Sequence, residues 1–241
     1  MKELVRRQLR GFPIYAVPTW EGAPIRHGFG TRGCSLHNYL GVGAWWIPTT
    51  RQIHSGVVHA LDGLRSDVCL HGDAFITNTP EVVCGIRTAD CLPILAYDPD
   101  HHAVAAIHAG WRGLVAGIIP HTIAAMGARY RTRPSQLRVA IGPAIGPLDY
   151  EIDEPVVTAM RRAGLHVDDV IAPTSDQHWR LHLPQLAQQV LLEAGMDPTN
   201  ITTNVLSTFT REGEFNSYRR QTTHAGRQYS FISILRPVGK I

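Results

Sequence analysis

Three residues of the 241-residue chain carry the side chains that transition metals prefer: His54, Cys91 and His108. Two imidazoles and a thiolate make a competent zinc set, and three protein ligands leave the fourth position that catalytic zinc keeps open for water or substrate. The same donors are the equatorial set of a mononuclear copper centre. Without a metal, Cys91 as nucleophile and His108 as base would suit thiol-hydrolase chemistry. The spacing alone does not choose among these. Thirteen histidines make chance pairings easy, and a histidine or cysteine beside a strand ordinarily packs or hydrogen-bonds. Arg32, Arg87, Arg112, Arg219 and Arg220 accompany the trio and could gather an anion such as phosphate through bidentate hydrogen bonds. Asp73 and Asp90 could orient a ligand or exchange a proton, although an aspartate before a strand is more often a turn residue. No P-loop, GxSxG or HExxH motif occurs and no GxGxxG follows a strand, so triphosphate, dehydrogenase and serine-hydrolase chemistry lack their usual support.

The elements that must hold these residues are clearest in the middle of the chain. Apolar runs at 92–97 and 103–108 flank Asp98-Pro99-Asp100-His101-His102, which predicts an antiparallel hairpin. A turn centred on Pro99-Asp100 gives partner numbers adding to 199 or 200 and sets Cys91 across from His108. Residues 52–59 read as a strand or two with His54 inside, and Gly56 marks a bulge or a close approach. Further strands are expected at 15–17, 25–32, 74–77, 82–86, 138–141, 201–206 and 228–235, with a loop carrying Trp45-Trp46. Helices are expected at 114–126, kinked by Pro120, at 154–163 and at 184–194, where Pro184 sits in the first turn and Gly195 follows the end. Strands and helices alternate without a βαβ rhythm, so the fold class is α+β (mixed α/β) with mixed sheets. No linker or repeat divides the chain, and one domain, residues 1–241, is the simpler organisation.

Composition narrows the function classes. With 44% hydrophobic and 18% charged residues the chain can build a full core, and neither disorder nor a low-complexity fibre fits. The net charge of +3 and 7% aromatics lack the dense basic face of a nucleic-acid binder, so no nucleic-acid partner is expected. No segment approaches the roughly 18 apolar residues of a membrane span, and no apolar stretch follows the charged start, which predicts a cytoplasmic protein without a membrane partner. Four cysteines without a CxxC pair are too few for a disulfide scaffold and are expected to be reduced.

Several short runs then carry a family resemblance. His27-Gly28-Phe29-Gly30-Thr31-Arg32, Gln52-Ile53-His54-Ser55, Gly72-Asp73-Ala74, Arg87-Thr88-Ala89-Asp90-Cys91-Leu92-Pro93-Ile94, His108-Ala109-Gly110-Trp111-Arg112-Gly113 and Ala140-Ile141-Gly142-Pro143 together resemble the laccase-domain family. Phe215-Asn216-Ser217-Tyr218-Arg219-Arg220 and Gly226-Arg227-Gln228 resemble its closing motifs. Members have been called polyphenol oxidases or multicopper oxidases and are described as purine nucleoside phosphorylases. The resemblance implies a layered α/β/β/α fold with mixed sheets and zinc on His54, Cys91 and His108. It further implies phosphorolysis of adenosine, inosine, guanosine and methylthioadenosine, adenosine deamination at the same site, and a homodimer. Within the matching motifs, Arg32 and Arg112 are the expected phosphate ligands and Asp90 the expected proton carrier. Mononuclear copper oxidase chemistry stays open, but the paired His-X-His motifs of a trinuclear copper cluster do not occur. A noncatalytic zinc- or purine-binding protein, docking partners on an exposed Trp45-Trp46 pair, is the other alternative. The chain departs from the family in a short Arg32–Gln52 segment, where a longer insert with a helix is usual, and in Ala144, where the family has cysteine.

Overall fold

The computed structural model describes residues 3–41, 45–63 and 68–236. Two sheets lie face to face. One has six strands in the order Ile201–Thr202, Arg138–Ile141, Leu92–Asp98, Ala103–Ala109, Ala74–Thr77 and Val58–Ala60. Its two outermost pairings are parallel and the rest antiparallel, so the sheet is mixed. The other sheet is wholly antiparallel: Val5–Leu9, Phe12–Ala16, Ile25–Gly30, Gln228–Ile234 and Val83–Thr88.

Strand periodicity explains the layering. Phe75, Leu95, Tyr97, Val104 and Ala106 point at the five-stranded sheet and pack with its Tyr15, Phe29, Ile86 and Ile232. Their neighbours Ile76, Ile94, Ala96, Ala105 and Ile107 point the other way, onto Ile118, Ile123 and Met126 of the helix Ile118–Tyr130 and Leu186 and Leu191 of the helix Leu183–Glu193. A short helix, Leu36–Leu40, covers the outer face of the five-stranded sheet against Ile14, Val83 and Phe231. The result is the α/β/β/α sandwich of a mixed α+β fold. The two central strands are buried on both faces, which is why they read as unbroken apolar runs. No helix among the described residues is long and apolar enough to cross a membrane.

Five expectations are corrected by local chemistry. The hairpin forms, but Asp98 pairs with Ala103 and Pro93 with His108, so partner numbers add to 201. The Asp98 carboxylate accepts the N–H groups of Asp100 and His101 at 2.9 and 3.2 Å and His102 turns at φ +48°, which moves the turn centre one residue onward. Cys91 therefore lies just beyond the ladder. Residues 52–57 are a loop in which His54 has φ +58°, and pairing begins only at Val58. Gly56 is a close approach, since a β-carbon there would meet the Ala116 carbonyl at 2.2 Å. The expected kinked helix is two helices, Trp111–Val115 and Ile118–Tyr130, separated by Gly117 at φ +71°. Pro120 falls in the first turn of the second, where its missing N–H leaves no bond unmade.

The strand expected at 201–206 stops at Thr202, because Asn204 donates to the Ile141 carbonyl and accepts from Leu206 N–H. A small sheet of Glu151–Asp153, His178–Leu181 and Ile171–Ser175 was not anticipated; its polar residues carry little apolar pattern. The short Arg32–Gln52 segment does hold a helix, Leu36–Leu40, started by a reciprocal Ser35–Asn38 cap. Trp45 and Trp46 are half-buried rather than an exposed pair: Arg26 stacks over Trp45 at 5.4 Å, and Trp46 bridges to Val82.

Candidate metal centre and its cavity

The open end of the central hairpin carries a cavity of about 800 Å³. His54 reaches it from the 52–57 loop, Cys91 from the link between Val83–Thr88 and Leu92–Asp98, and His108 from the end of the second hairpin strand. Their ligand atoms all lie within 4.8 Å of one another. The two imidazole rings meet edge to face, centroids 4.9 Å apart, and His54 Nε2 is 4.0 Å from Cys91 Sγ. A tetrahedral zinc with ordinary bond lengths needs sulfur and nitrogen about 3.6 Å apart, so a small inward movement completes the set. His108 is buried and its Nδ1 meets Asp73 at 2.8 Å, which leaves Nε2 as its free ring nitrogen. Gly110 makes the cluster possible, because a β-carbon there would sit 2.8 Å from Cys91 Sγ and 3.4 Å from His54 Cδ2.

Electrostatics favour the thiolate. Burial opposes its charge, but the His108 and His54 imidazoles outweigh that and bring the Cys91 thiol down to about 6. Burial likewise opposes charge on His108, and the Cys91 sulfur and Asp73 carboxylate together push its pKa up. A soft anionic donor with two imidazoles is the chemistry that zinc or copper takes. The residues present fit a metal.

The remaining wall is cationic. Arg51, Arg87, Arg112, Arg219 and Arg227 line the cavity, and among the described residues none of the five makes an ion pair. Arg112 stacks on Trp111 at 4.4 Å and Arg219 on Tyr150 at 5.3 Å. Asp90 supplies the one carboxylate in the described lining, and it accepts three hydrogen bonds, from Thr208 Oγ1 at 2.7 Å, Ser217 Oγ at 3.0 Å and Arg219 N–H at 2.6 Å. Its φ of +86° reverses the chain just before Cys91. Arg32 lies outside the lining, exposed, with its guanidinium on the Glu212 carbonyl at 2.7 Å. Arg220 points away too, donating to the carbonyls of Thr208, Phe209 and Phe215.

Arg51, Tyr150, Tyr218 and Arg227 are cavity residues that were not singled out from the sequence as candidate site residues. Arg51 directly precedes the Gln52-Ile53-His54 motif, and Tyr218 and Arg227 lie inside the two closing motifs, positions that could have flagged them; Tyr150 carries no such signal.

Residues 34–235 match the model of the multi-copper polyphenol oxidoreductase laccase family, and the chain belongs to that family. Among curated relatives, the protein named purine nucleoside phosphorylase YfiH from Escherichia coli K12 is 36% identical over 187 residues, covering 76% of this chain and 72% of that one. A protein named purine nucleoside phosphorylase from Deinococcus radiodurans is 34% identical over 204 residues, covering 83% and 75%. Among solved structures, YlmD from Geobacillus stearothermophilus superposes with a TM-score of 0.85 at 25% identity, covering 97% of this chain and all of that one.

Proposed function

We propose that this chain is a zinc-dependent purine nucleoside phosphorylase that also deaminates adenosine. The observation that carries the reading is a candidate three-donor metal set opening onto a cavity ringed by arginines that make no ion pair among the described residues, in a chain whose relatives bear the phosphorylase name. The reaction breaks the bond between the purine and C1′ of ribose, forms a bond from C1′ to a phosphate oxygen, and releases the base with a proton. Adenosine, inosine, guanosine and methylthioadenosine are the proposed substrates. Water in place of phosphate accounts for deamination: its oxygen bonds to the ring carbon that bears the amine, the C–N bond breaks, and the amine leaves as ammonia with a proton from the water, giving inosine from adenosine.

His54, Cys91 and His108 would hold zinc, which supplies a Lewis acid with one open position. Arg112, with Arg87 and Arg219, binds the phosphate and holds it against C1′, where orientation replaces a diffusional encounter. Arg112 and Arg219 are braced by the Trp111 and Tyr150 rings, so their forks are set before the anion arrives. Asp90 fixes the Ser217–Arg219 segment at the cavity; proton exchange with the base is the further role its motif implies, and Asp90→Asn tests it. Arg32 braces the Glu212 carbonyl at a distance from these groups.

The test is elemental analysis of protein purified without added metal, with base release from adenosine and inosine in the presence and absence of phosphate. About one zinc per chain and phosphate-dependent release, both lost in Cys91→Ser, support the reading. Full activity without metal refutes it. The donor set and the family's description also favour a second reading, a mononuclear copper polyphenol oxidase. Copper in the purified protein with oxygen uptake on a diphenol would establish that reading instead.

A further inference from the structure

Asp73 is wholly buried and touches two of the three donor segments at once. Its Oδ1 accepts the His54 N–H at 3.0 Å and meets His108 Nδ1 at 2.8 Å. Its Oδ2 accepts from Ser55 N–H at 2.6 Å, Ser55 Oγ at 2.7 Å and, more weakly, Ile53 N–H at 3.3 Å. The main chain repeats the pattern: Asp73 N–H donates to the Val57 carbonyl at 3.0 Å, and its own carbonyl accepts the His108 N–H at 2.7 Å.

We propose that Asp73 is the positioning residue that assembles the metal centre, setting the backbone of His54 and the ring of His108 through one carboxylate. The inference rests on the metal reading above and concerns how the site is built. Three successive N–H groups, of residues 53 to 55, converge on this carboxylate and hold the loop in which His54 sits at φ +58°. That is a conformation a non-glycine residue adopts only when its surroundings over-determine it. On the other side, the Asp73 acceptor fixes the Nδ1–H tautomer of His108 and so directs Nε2 to the metal. An isosteric amide cannot serve both sides, because it keeps one oxygen: with that oxygen at the Oδ1 position its NH₂ faces the Ile53 and Ser55 N–H donors, and with it at the Oδ2 position its NH₂ faces the His54 N–H and the His108 ring.

The test is zinc affinity by competition with a chromophoric chelator on metal-free wild type, Asp73→Asn and Ser55→Ala, each shown to be folded by circular dichroism. Cobalt(II) in place of zinc reads the ligand geometry through its thiolate charge-transfer and d–d bands. The expected result is zinc binding weakened about 10- to 100-fold in Asp73→Asn with a shifted cobalt spectrum. Ser55→Ala, which removes one hydrogen bond to Oδ2 and leaves His108 alone, should lose about two- to tenfold. If Asp73→Asn does not fold, the Ser55→Ala affinity and spectrum decide. Zinc affinity within twofold of wild type and an unchanged cobalt spectrum in the folded variant, even with a lowered Tm, would reduce Asp73 to a packing residue and overturn the proposal. Wild type that takes up neither zinc nor cobalt overturns the metal reading itself, and this inference with it.

Discussion

Gly110→Ala separates metal assembly from folding. Gly110 has φ −80° and ψ 174°, an extended conformation open to any residue, so the added methyl brings no backbone strain. It would instead stand 2.8 Å from Cys91 Sγ. An ordinary nonbonded contact is about 3.5–4.0 Å, so the sulfur must retreat by about 0.7–1.2 Å. Metal–ligand distances tolerate only about 0.2 Å. Overpacking of this kind costs about 1–3 kcal/mol, offset by about 0.4–1 kcal/mol from the stiffer unfolded chain, so a folded variant should result. Its zinc affinity should fall at least tenfold, read by chelator competition, and its cobalt(II) derivative should lose thiolate charge-transfer intensity. A folded Gly110→Ala protein with zinc affinity within twofold of wild type would refute the packing argument and place Cys91 outside the metal site.

Other outcomes follow from the same structure. Burial holds His27 neutral, with its pKa down at about 4, while its Nε2 accepts the Val17 N–H and its ring lies 4.9 Å from Trp20. The folded state therefore binds fewer protons than the unfolded chain, and the stability that neutral His27 confers, present above about pH 6.5, is lost as pH falls toward 4. The loss is about 3 kcal/mol. Urea midpoints at pH 7.5 and 4.5 should show it, and His27→Gln should flatten that part of the profile. Cys91 in metal-free protein should react with iodoacetamide half-maximally near pH 6, and zinc should protect it; a midpoint near 9 would contradict the imidazole–thiolate geometry. Arg112→Ala should raise the phosphate KM about tenfold or more, whereas Arg32→Ala, whose side chain braces Glu212, should leave it within twofold. Prolonged chelation should abolish base release, and one equivalent of zinc should restore it.

Side-chain type and spacing along the chain already single out the candidate donors and most of the scaffold. Metals discriminate sharply among side chains, so His54, Cys91 and His108 stand out by type within their motifs. The two apolar runs around Asp98–His102 can be little else than a buried hairpin, and the helices expected at 154–163 and 184–194 form as Glu154–Arg162 and Leu183–Glu193, the second marked by Pro184 in its first turn and Gly195 beyond its end. What periodicity could not supply was register. Asp98 chooses where the turn closes by capping two N–H groups, and that choice moves Cys91 off the ladder. The loop conformation of His54 depends on a carboxylate 19 residues away, and the cationic wall depends on segments as distant as Arg51 and Arg227. Arg32 and Arg112 look equivalent as motif arginines, yet one is exposed on a carbonyl and the other faces the cavity. Side-chain type and local spacing are written along the chain; which side chains converge is decided by long-range hydrogen bonds and sheet packing, which only the assembled fold makes.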